Sequence, residues 1–256
     1  MEKINLEDIF ACPKCKTPLK NHIKNGQCPK CNFAFKKEDQ IWHLLNISKK
    51  RTLASQKLYE NVHDHKFIGP KDGSYEILAS FAKGNRTLNI ACGQGYIEKL
   101  APYTIGLDFS YNALKRAKQK GVKNLILADA HSLPFKDNSF DITISAGNLE
   151  HFENPQKALN EMARVSKIQI LTVHRQLPIP FYPILFKLIS LVLKINHQPI
   201  EKPLNQKYVE KMILKAGLKI IFKGVWTIPI NHGRVISSLP EFKNIPACSF
   251  IISIKK

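Results

Sequence analysis

Apolar runs of strand length alternate with helix-like stretches throughout residues 74–256 of the chain. The runs lie at 88–90, 103–107, 125–128, 140–145, 168–173, 218–225 and 249–254. Stretches with helical spacing or helix end signals lie at 74–82 and 110–120, and a further helix is predicted at 206–216. This alternation predicts an α/β fold with a seven-stranded, mostly parallel sheet and helices on both of its faces.

The first apolar run leads directly into a glycine turn, Leu88-Asn89-Ile90-Ala91-Cys92-Gly93-Gln94-Gly95. Gly93 and Gly95 allow a sharp turn and let a ligand approach the backbone more closely than a Cβ would permit. A helix that begins near Tyr96 would point its first N–H groups at that ligand. We therefore expect a cofactor site at this turn.

Acidic residues follow the next two predicted strands. Asp108 lies 19 residues beyond Asn89, at the distance where nucleotide-binding folds bind ribose hydroxyls. Asp129 follows the third strand, where its carboxylate could accept a hydrogen bond from the amino group of an adenine. Either aspartate alone is compatible with a plain loop residue. Their positions at consecutive strand ends beside a glycine turn favour a nucleotide-like ligand.

Four cysteines near the N-terminus form two Cys-x-x-Cys knuckles, Cys12 with Cys15 and Cys28 with Cys31. Two knuckles supply the four thiolates of a closed tetrahedral zinc site, so we predict a structural Zn²⁺ in a small ribbon at residues 1–46. Two redox-active cysteine pairs are the alternative. Because so short a module buries little apolar surface, the metal should provide much of its stability.

Two segments lie outside the zinc ribbon and the α/β pattern, one at 47–73 and one at about 178–200. Residues 47–73 are predicted to form a basic linker and a lid helix, and His63-Asp64-His65 within them favours a solvated loop over a metal site. An insertion at about 178–200 is nearly all apolar from 182 to 195. This stretch is shorter than the ~20 residues needed to cross a bilayer. A buried lid, the wall of an apolar pocket and an interfacial membrane helix are its three interpretations.

Composition adds information about partners and compartment. The 256 residues include 39 Lys and Arg against 20 Asp and Glu, and the formal charge of +19 favours RNA, anionic lipid or acidic metabolites as partners. Codon bias is the alternative, since the lysines are scattered. We see no secretory signal and expect a cytoplasmic protein, with peripheral membrane contact as an option. Six cysteines in that setting favour metal over disulfides.

The motifs of residues 74–256, taken in order, resemble those of the class I S-adenosylmethionine-dependent methyltransferases, which have a Rossmann-like fold. The resemblance rests on the glycine turn, Ile-Gly-Leu-Asp-Phe-Ser at 105–110, Ala-Asp-Ala at 128–130, Leu-Pro-Phe at 133–135, Ser-Phe-Asp at 139–141, Asn-Leu-Glu-His-Phe at 148–152 and Ala-Gly-Leu at 216–218. Their combined order is specific, although no single motif is. A helix at 155–165 extends the match. The resemblance also implies that the last two strands form an antiparallel pair.

By this resemblance S-adenosylmethionine is the cofactor. Gly93 and Gly95 would lie beneath its methionine part, Asp108 would bind the ribose, and Asp129 with Ala130 would frame the adenine. The other cofactor-binding residues that the resemblance implies are Asn89, Ala91, Phe109 and Asn148.

Two positions depart from the family pattern. Asn89 stands where an acidic residue is usual, which removes a negative charge near the cofactor's ammonium group and should weaken binding. Ala91 stands where Gly is usual and is expected to be neutral. Methyl transfer depends mainly on alignment of the acceptor, and a base is needed only when the acceptor must lose a proton. His151 is the candidate base, with a structural role as the alternative, and Glu150 and His174 lie in the same region.

The N-terminal segment at 6–45 resembles the zinc ribbons at the front of many methyltransferases, including ribosomal RNA guanine methyltransferases. A similar ribbon forms the small activator protein of tRNA and release-factor methyltransferases. We expect a methyltransferase that acts on a small or apolar, lipid-like acceptor. An rRNA or tRNA methyltransferase and a non-catalytic binding or activator protein are the alternatives. The sequence predicts no oligomeric state.

Overall fold

The computed structural model of the chain describes residues 5–47, 50–62, 73–174, 181, 184, 188, 204–229 and 244–256. Nine strands run through these residues: β1 Lys36–Glu38, β2 Ile41–His43, β3 Thr87–Ile90, β4 Ile105–Asp108, β5 Leu125–Leu127, β6 Phe140–Ala146, β7 Ser166–His174, β8 Leu218–Pro229 and β9 Asn244–Lys255. The helices are α1 Leu6–Ile9, α2 Lys50–Val62, α3 Ser74–Ala82, α4 Tyr96–Leu100, α5 Tyr111–Gln119, α6 Pro155–Val165 and α7 Gln206–Lys215. The His63-Asp64-His65 loop and nearly all of the apolar stretch at 182–195 lie outside the described residues.

All nine strands belong to one sheet, in the order β1-β2-β5-β4-β3-β6-β7-β9-β8. The neighbours from β2 through β7 are parallel, and β9 is antiparallel to both β7 and β8. The seven strands β3 to β9 are therefore the predicted mostly parallel sheet with its antiparallel pair, and this prediction is confirmed. Among the described helices none is long and apolar enough to cross a membrane.

The N-terminal ribbon continues this sheet. Strand β2 pairs in parallel with β5, so that Ile41 lies opposite Leu125, and β1 adds an antiparallel strand beyond it. Phe10 packs edge-on against Trp42, with ring centroids 5.2 Å apart, and stacks on Phe135 at 5.9 Å. The ribbon thus shares both its sheet and its hydrophobic core with the rest of the chain, a junction that the sequence did not predict.

Helices cover both faces of the sheet, as expected from the alternating pattern. On one face α6 and α7 pack with the ribbon in a core that includes Leu88 and Phe140. On the other face α3 and α4 pack against Ile142 and Ile144, while α5 packs near the β5 edge. Side chains of one strand point to both faces of a sheet, and β6 and β7 supply residues to both cores.

Local signals set where the helices begin. The Ser110 hydroxyl accepts a hydrogen bond from the Ala113 N–H at 3.2 Å and caps α5, as predicted. Asn154 caps α6 by accepting from the Lys157 N–H at 3.0 Å, and Pro155 occupies the first turn. Each cap places a helix N-terminus at the carboxyl edge of the sheet, where β4 and β6 end.

Candidate active site and metal centre

The glycine turn lies at the carboxyl end of β3, in the middle of the sheet. Gly93 has a φ of 55°, and a Cβ at this position would meet no described atom within 4 Å. Gly95 has a φ of 74°, but its Cβ would lie 2.8 Å from Val122 Cγ2 and 3.0 Å from Ala117 Cβ. Gly93 therefore leaves space for a ligand, whereas Gly95 allows α4 to begin close to the end of α5.

Asp108 fixes the turn from the neighbouring strand β4. Its Oδ2 accepts a hydrogen bond from the Gly93 N–H at 2.7 Å, and its Oδ1 accepts from the Ser110 N–H at 2.8 Å. The side chain is buried. The turn and the strand-end aspartate thus form one hydrogen-bonded unit, and the ribose-binding role of Asp108 stays a prediction.

Asp129 is held at the end of β5 by His131. Asp129 Oδ1 lies 2.9 Å from the His131 N–H and 2.6 Å from ring Nδ1, while ring Nε2 accepts from the Asn154 N–H at 3.1 Å. Because Nε2 is an acceptor, we assign the ring proton to Nδ1. Burial alone would raise the pKa of Asp129, but hydrogen bonds from the ring and the backbone of His131, together with nearby positive charge, outweigh it and hold the pKa below its usual value. Asp129 is therefore a carboxylate that can accept further hydrogen bonds.

The remaining predicted cofactor residues surround the same edge. Asn148 Nδ2 donates to the carbonyl oxygens of Ile90 at 3.2 Å and Ala91 at 3.3 Å, which ties the loop after β6 to the glycine turn. Ala91 has a φ of 56°, a left-handed conformation that costs roughly 1–2 kcal/mol for a residue with a Cβ. This backbone cost concerns stability, and the expected neutral effect of Ala91 on cofactor binding stays a prediction. Ala130 is buried and Phe109 is half-buried.

Asn89 is buried beneath the turn, where it donates from Nδ2 to Glu98 Oε1 at 2.8 Å. Glu98 lies in the first turn of α4, and the missing side chain of Gly106 leaves room for it, since a Cβ there would lie 3.1 Å from Glu98 Oε1. Burial raises the pKa of Glu98 to about 7, and the charge of Asp108 acts in the same direction. Position 89 lacks the usual acidic group, but Glu98 of α4 places a carboxyl group beside it. The sequence did not single out Glu98.

Helix α2 crosses the carboxyl edge of the sheet. The Ser55 hydroxyl donates to Glu153 Oε1 at 2.5 Å in the loop after β6. At the other end of the helix, the Glu60 carboxylate accepts the N–H groups of Tyr111 at 2.6 Å and Asn112 at 2.9 Å, at the start of α5. The helix therefore lies where a lid over the strand ends is expected, although no sequence motif singled out Glu60.

Glu150, His151 and His174 meet at the carboxyl ends of β6 and β7. Glu150 Oε1 accepts from the His174 N–H at 3.0 Å and lies 2.5 Å from His174 Nδ1. The ring of His151 packs edge-on to that of His174, with centroids 6.5 Å apart. His151 is only 8% exposed, whereas the His174 side chain is 48% exposed. The catalytic role of His151 stays a prediction, and His174 is the more exposed of the two histidines.

The four ribbon cysteines converge on one point. Cys12 and Cys31 have their sulfurs 3.5 Å apart, as do Cys15 and Cys28, and all four sulfurs lie within 4.8 Å of one another. Zinc–sulfur bonds of about 2.3 Å in a tetrahedron place sulfurs roughly 3.8 Å apart, so this spacing suits a four-thiolate metal site. Burial raises the pKa of Cys12 to about 12, while hydrogen bonding with Thr17 lowers the pKa of Cys15 to about 6.

Residues 88–169 match the protein family described as a methyltransferase domain. The matched region spans about a third of the chain and is similar to methyltransferase domains. It begins in β3 and ends in β7, so it contains the glycine turn, Asp108, Asp129 and the Glu150–His151 pair.

Curated relatives match the same part of the chain. A demethylmenaquinone methyltransferase from Renibacterium salmoninarum is 44% identical over 92 residues, which cover 33% of this chain and 38% of that protein. A 2-phytyl-1,4-naphtoquinone methyltransferase from Nostoc punctiforme is 34% identical over 139 residues, covering 46% of this chain and 60% of that protein. The chain thus spans less than two thirds of the length of these relatives.

Solved structures share the fold of this chain. A methyltransferase from Thermotoga maritima, described as a possible histamine N-methyltransferase, aligns with a TM-score of 0.56 and 21% identity over 80% of this chain and 97% of that chain. At this identity the likeness shows the fold alone.

Proposed function

We propose that the protein is an S-adenosylmethionine-dependent methyltransferase that acts on a small or apolar acceptor. The observation that carries the proposal is the convergence of Gly93, Asp108 and Asp129 at the ends of three adjacent parallel strands. In open α/β sheets ligands bind in the crevice outside these strand ends. The match of residues 88–169 to methyltransferase domains supports the same assignment.

Each of these three residues at the carboxyl edge of the sheet has a proposed contact with the cofactor. The open backbone at Gly93 lies under the methionine part of the cofactor, Asp108 accepts hydrogen bonds from the ribose, and Asp129 accepts from the adenine amino group. A carboxylate oxygen can accept more than one hydrogen bond, so Asp108 can hold the turn and a ribose together. The bound cofactor supplies an activated methyl group, while the chain aligns the acceptor and excludes water beneath α2.

Two findings support an apolar acceptor. The relatives named above carry quinone names, demethylmenaquinone and 2-phytyl-1,4-naphtoquinone. In addition, the predicted insertion at about 178–200 is rich in apolar residues, and we propose that it covers the acceptor. The proposed division of the chain is a ribbon at 1–46, a linker and lid at 47–73, and the methyltransferase domain at 74–256.

We also propose that Cys12, Cys15, Cys28 and Cys31 bind one structural Zn²⁺. Four thiolates fill a tetrahedral coordination sphere, so this metal has no open position for chemistry. Its function is to stabilise the ribbon, which in turn extends the sheet through β2.

Calorimetry of zinc-loaded protein with S-adenosylmethionine tests the proposal. We expect saturable binding by the unmodified chain and at least a tenfold loss of affinity, about 1.4 kcal/mol, in Asp108→Asn. Asp137→Asn is the matched control, because Asp137 is 69% exposed and lies away from the turn, paired with Arg164. Absence of any binding by the unmodified protein would refute the enzymatic proposal.

The charge of +19 favours a second candidate acceptor, RNA. Binding to an RNA fragment that weakens steeply with salt, together with methyl incorporation into that RNA, would support it. Methylation of a quinol at a rate that is insensitive to RNA would favour the apolar acceptor.

A further inference from the structure

We infer that His174, held as a cation by Glu150, selects a methyl acceptor that reacts as an anion, such as a phenolate or an enolate, over an amine. This inference rests on the proposed methyltransferase function and adds the chemical class of the acceptor to it. It also assigns to His174 a hydrogen-bond-donating role that differs from that of the candidate base His151.

The first step is the environment of the Glu150 carboxylate. Its side chain is fully buried, and Oε1 is bonded to both the backbone N–H and the ring of His174. Oε2 has no hydrogen-bond partner among the described residues. A buried carboxylate is costly unless a positive partner accompanies it. The burial of Glu150 therefore favours the protonated ring of His174.

The second step is the set of groups that face the ring of His174. These are Glu150 and His151 from the turn after β6 and Cys248 from β9, which lies opposite His174 in the antiparallel register. The ring hydrogen-bonds both the Glu150 carboxylate and the Cys248 sulfur. Both partners can accept hydrogen bonds, which suits a ring that donates from both nitrogens. The hydrogen bonds to Cys248 and Glu150 accordingly raise the pKa of His174 to about 10.

The third step is the position of the ring relative to the glycine turn. A Cβ on Gly147 would lie 3.6 Å from His174 Cε1, so the ring sits beside the start of the loop after β6. The next residue, Asn148, donates to the carbonyls of Ile90 and Ala91 at the turn. Because about half of the His174 side chain is exposed, a ligand in this crevice can reach it. An anionic oxygen accepts a hydrogen bond more strongly than a sulfur and would replace Cys248 as a partner.

The chemistry then separates two acceptor classes. With an anionic acceptor, its electron pair forms the new bond to the methyl carbon while the carbon–sulfur pair stays on sulfur, so the negative charge and the sulfonium charge cancel. Where the new bond is to a ring carbon, the ring proton then leaves to water. An amine must enter neutral and gains positive charge as its bond forms. A neighbouring imidazolium stabilises the anion, opposes the amine, and has no lone pair with which to act as a base.

Nuclear magnetic resonance titration of the histidine rings tests the cation directly, without an acceptor. We expect the His174 ring of the unmodified protein to carry both protons at pH 8. In Glu150→Gln its pKa should fall toward the ordinary value of about 6.5. Glu76→Gln, an exposed carboxylate on α3, is the control and should leave the titration unchanged. A His174 ring that is neutral at pH 8 in the unmodified protein would overturn the inference.

Turnover of two probe acceptors tests the selection. We expect 1,4-naphthohydroquinone to be methylated with a kcat/KM at least tenfold above that of histamine. His174→Gln should lower the value for the hydroquinone at least tenfold, and His174→Lys should restore part of it, while calorimetric affinity for S-adenosylmethionine stays unchanged in both.

The outcomes separate this inference from the proposed function. Equal or better turnover of histamine would overturn the inference, and so would loss of all turnover in Cys248→Ala, which would assign the role to the thiol. Loss of S-adenosylmethionine binding by the unmodified protein would refute the proposed function instead. Failure to methylate the hydroquinone by protein that does bind S-adenosylmethionine would also overturn the inference.

Discussion

The ammonium group of Lys16, in the ribbon, lies 2.7 Å from Glu161 Oε2 in α6. The same carboxylate accepts from the Leu133 N–H at 2.7 Å and from Arg164, which lies one turn along the helix. The ribbon, the loop after β5 and helix α6 therefore meet at one largely buried charge. This contact adds to the β2–β5 pairing and makes the ribbon part of the same folding unit as the sheet.

Glu161→Gln should destabilise the protein at neutral pH and have little effect in acid. Burial alone would raise the pKa of Glu161, but hydrogen bonds from Arg164 and Lys16 outweigh it and hold the pKa below its usual value. A lowered folded pKa means that the carboxylate contributes stability above about pH 4.5, and that this stability is lost as pH falls through the folded pKa. We expect a loss of roughly 3 kcal/mol in urea unfolding at pH 7.

The matched control for this prediction is Asp137→Asn. Asp137 also pairs with Arg164 but is 69% exposed, so its loss should lower the free energy of unfolding by less than about 1 kcal/mol. An equal effect of Glu161→Gln at pH 7 and pH 3 would show that the destabilisation comes from packing and not from charge.

Loss of the ribbon metal should destabilise the sheet as well as the ribbon. Cys15→Ser is expected to abolish zinc binding, measured by elemental analysis, and to lower the melting temperature by at least roughly 5 °C. The reason is that β2 covers the β5 edge and Phe10 packs on Phe135 in the main core. Cys248→Ser is the control, because this cysteine lies in β9. A melting temperature that stays unchanged after zinc removal would contradict the coupling.

The sequence predicted the elements whose signals are local. The start of α5 at Tyr111 was predicted to the residue, since its cap Ser110 is the preceding residue in the chain. The bounds of α6 at Pro155–Val165 agree with the helix that the family resemblance implied. The four ribbon cysteines were predicted as one cluster for the same reason: the two knuckles are recognisable from spacing alone, and the described sulfurs do converge.

Features that depend on distant parts of the chain were not predictable in this way. The pairing of β2 with β5 joins strands that are more than 80 residues apart in the chain. The sequence of a three-residue strand does not indicate which strand it pairs with. Glu98 was missed because only the packing of α4 over Gly106 reveals that its carboxylate is buried beside Asn89. The left-handed φ of Ala91 is a property of the backbone of the turn, and it cannot be predicted from the alanine side chain.

Two substitutions in the glycine turn should change stability in opposite directions. Gly95→Ala combines a left-handed φ with a contact of 2.8 Å to Val122 Cγ2, and we expect a loss of roughly 2–3 kcal/mol in the free energy of unfolding. Ala91→Gly relieves a left-handed φ and should gain up to about 1 kcal/mol, reduced by the greater freedom of glycine in the unfolded chain.

The double variant Gly95→Ala with Val122→Ala isolates the contribution of the contact with Val122. It should recover that part of the loss, while the parts due to the backbone and to the contact of 3.0 Å with Ala117 Cβ remain. If the double variant loses as much free energy of unfolding as the two single variants added together, the result would argue against a direct contact. Chemical denaturation of the unmodified protein, the two single variants and the double variant at one pH provides the comparison.

Glu98→Gln should stabilise the protein above neutral pH and remove a pH dependence that the unmodified chain shows. Burial raises the folded pKa of Glu98 to about 7, above its unfolded value of about 4.5. Below pH 4.5 Glu98 is protonated in both the folded and the unfolded protein, so it does not change the free energy of unfolding. Above pH 4.5 the destabilisation grows with pH until the pH passes the folded pKa. Since one pKa unit corresponds to about 1.4 kcal/mol, the gain at pH 8 is up to about 3 kcal/mol.

The same variant distinguishes two roles of the buried acid. If the Glu98 carboxylate supplies the negative charge that Asn89 lacks, Glu98→Gln should gain stability yet lose affinity for S-adenosylmethionine at pH 8, measured by calorimetry. At pH 6, where the native Glu98 is mostly protonated, the two proteins should bind the cofactor with similar affinity. If the two proteins bind S-adenosylmethionine with equal affinity at both pH values, the role of Glu98 is limited to packing. A carboxylate that attracts the cofactor can do so only at a pH where it is ionised.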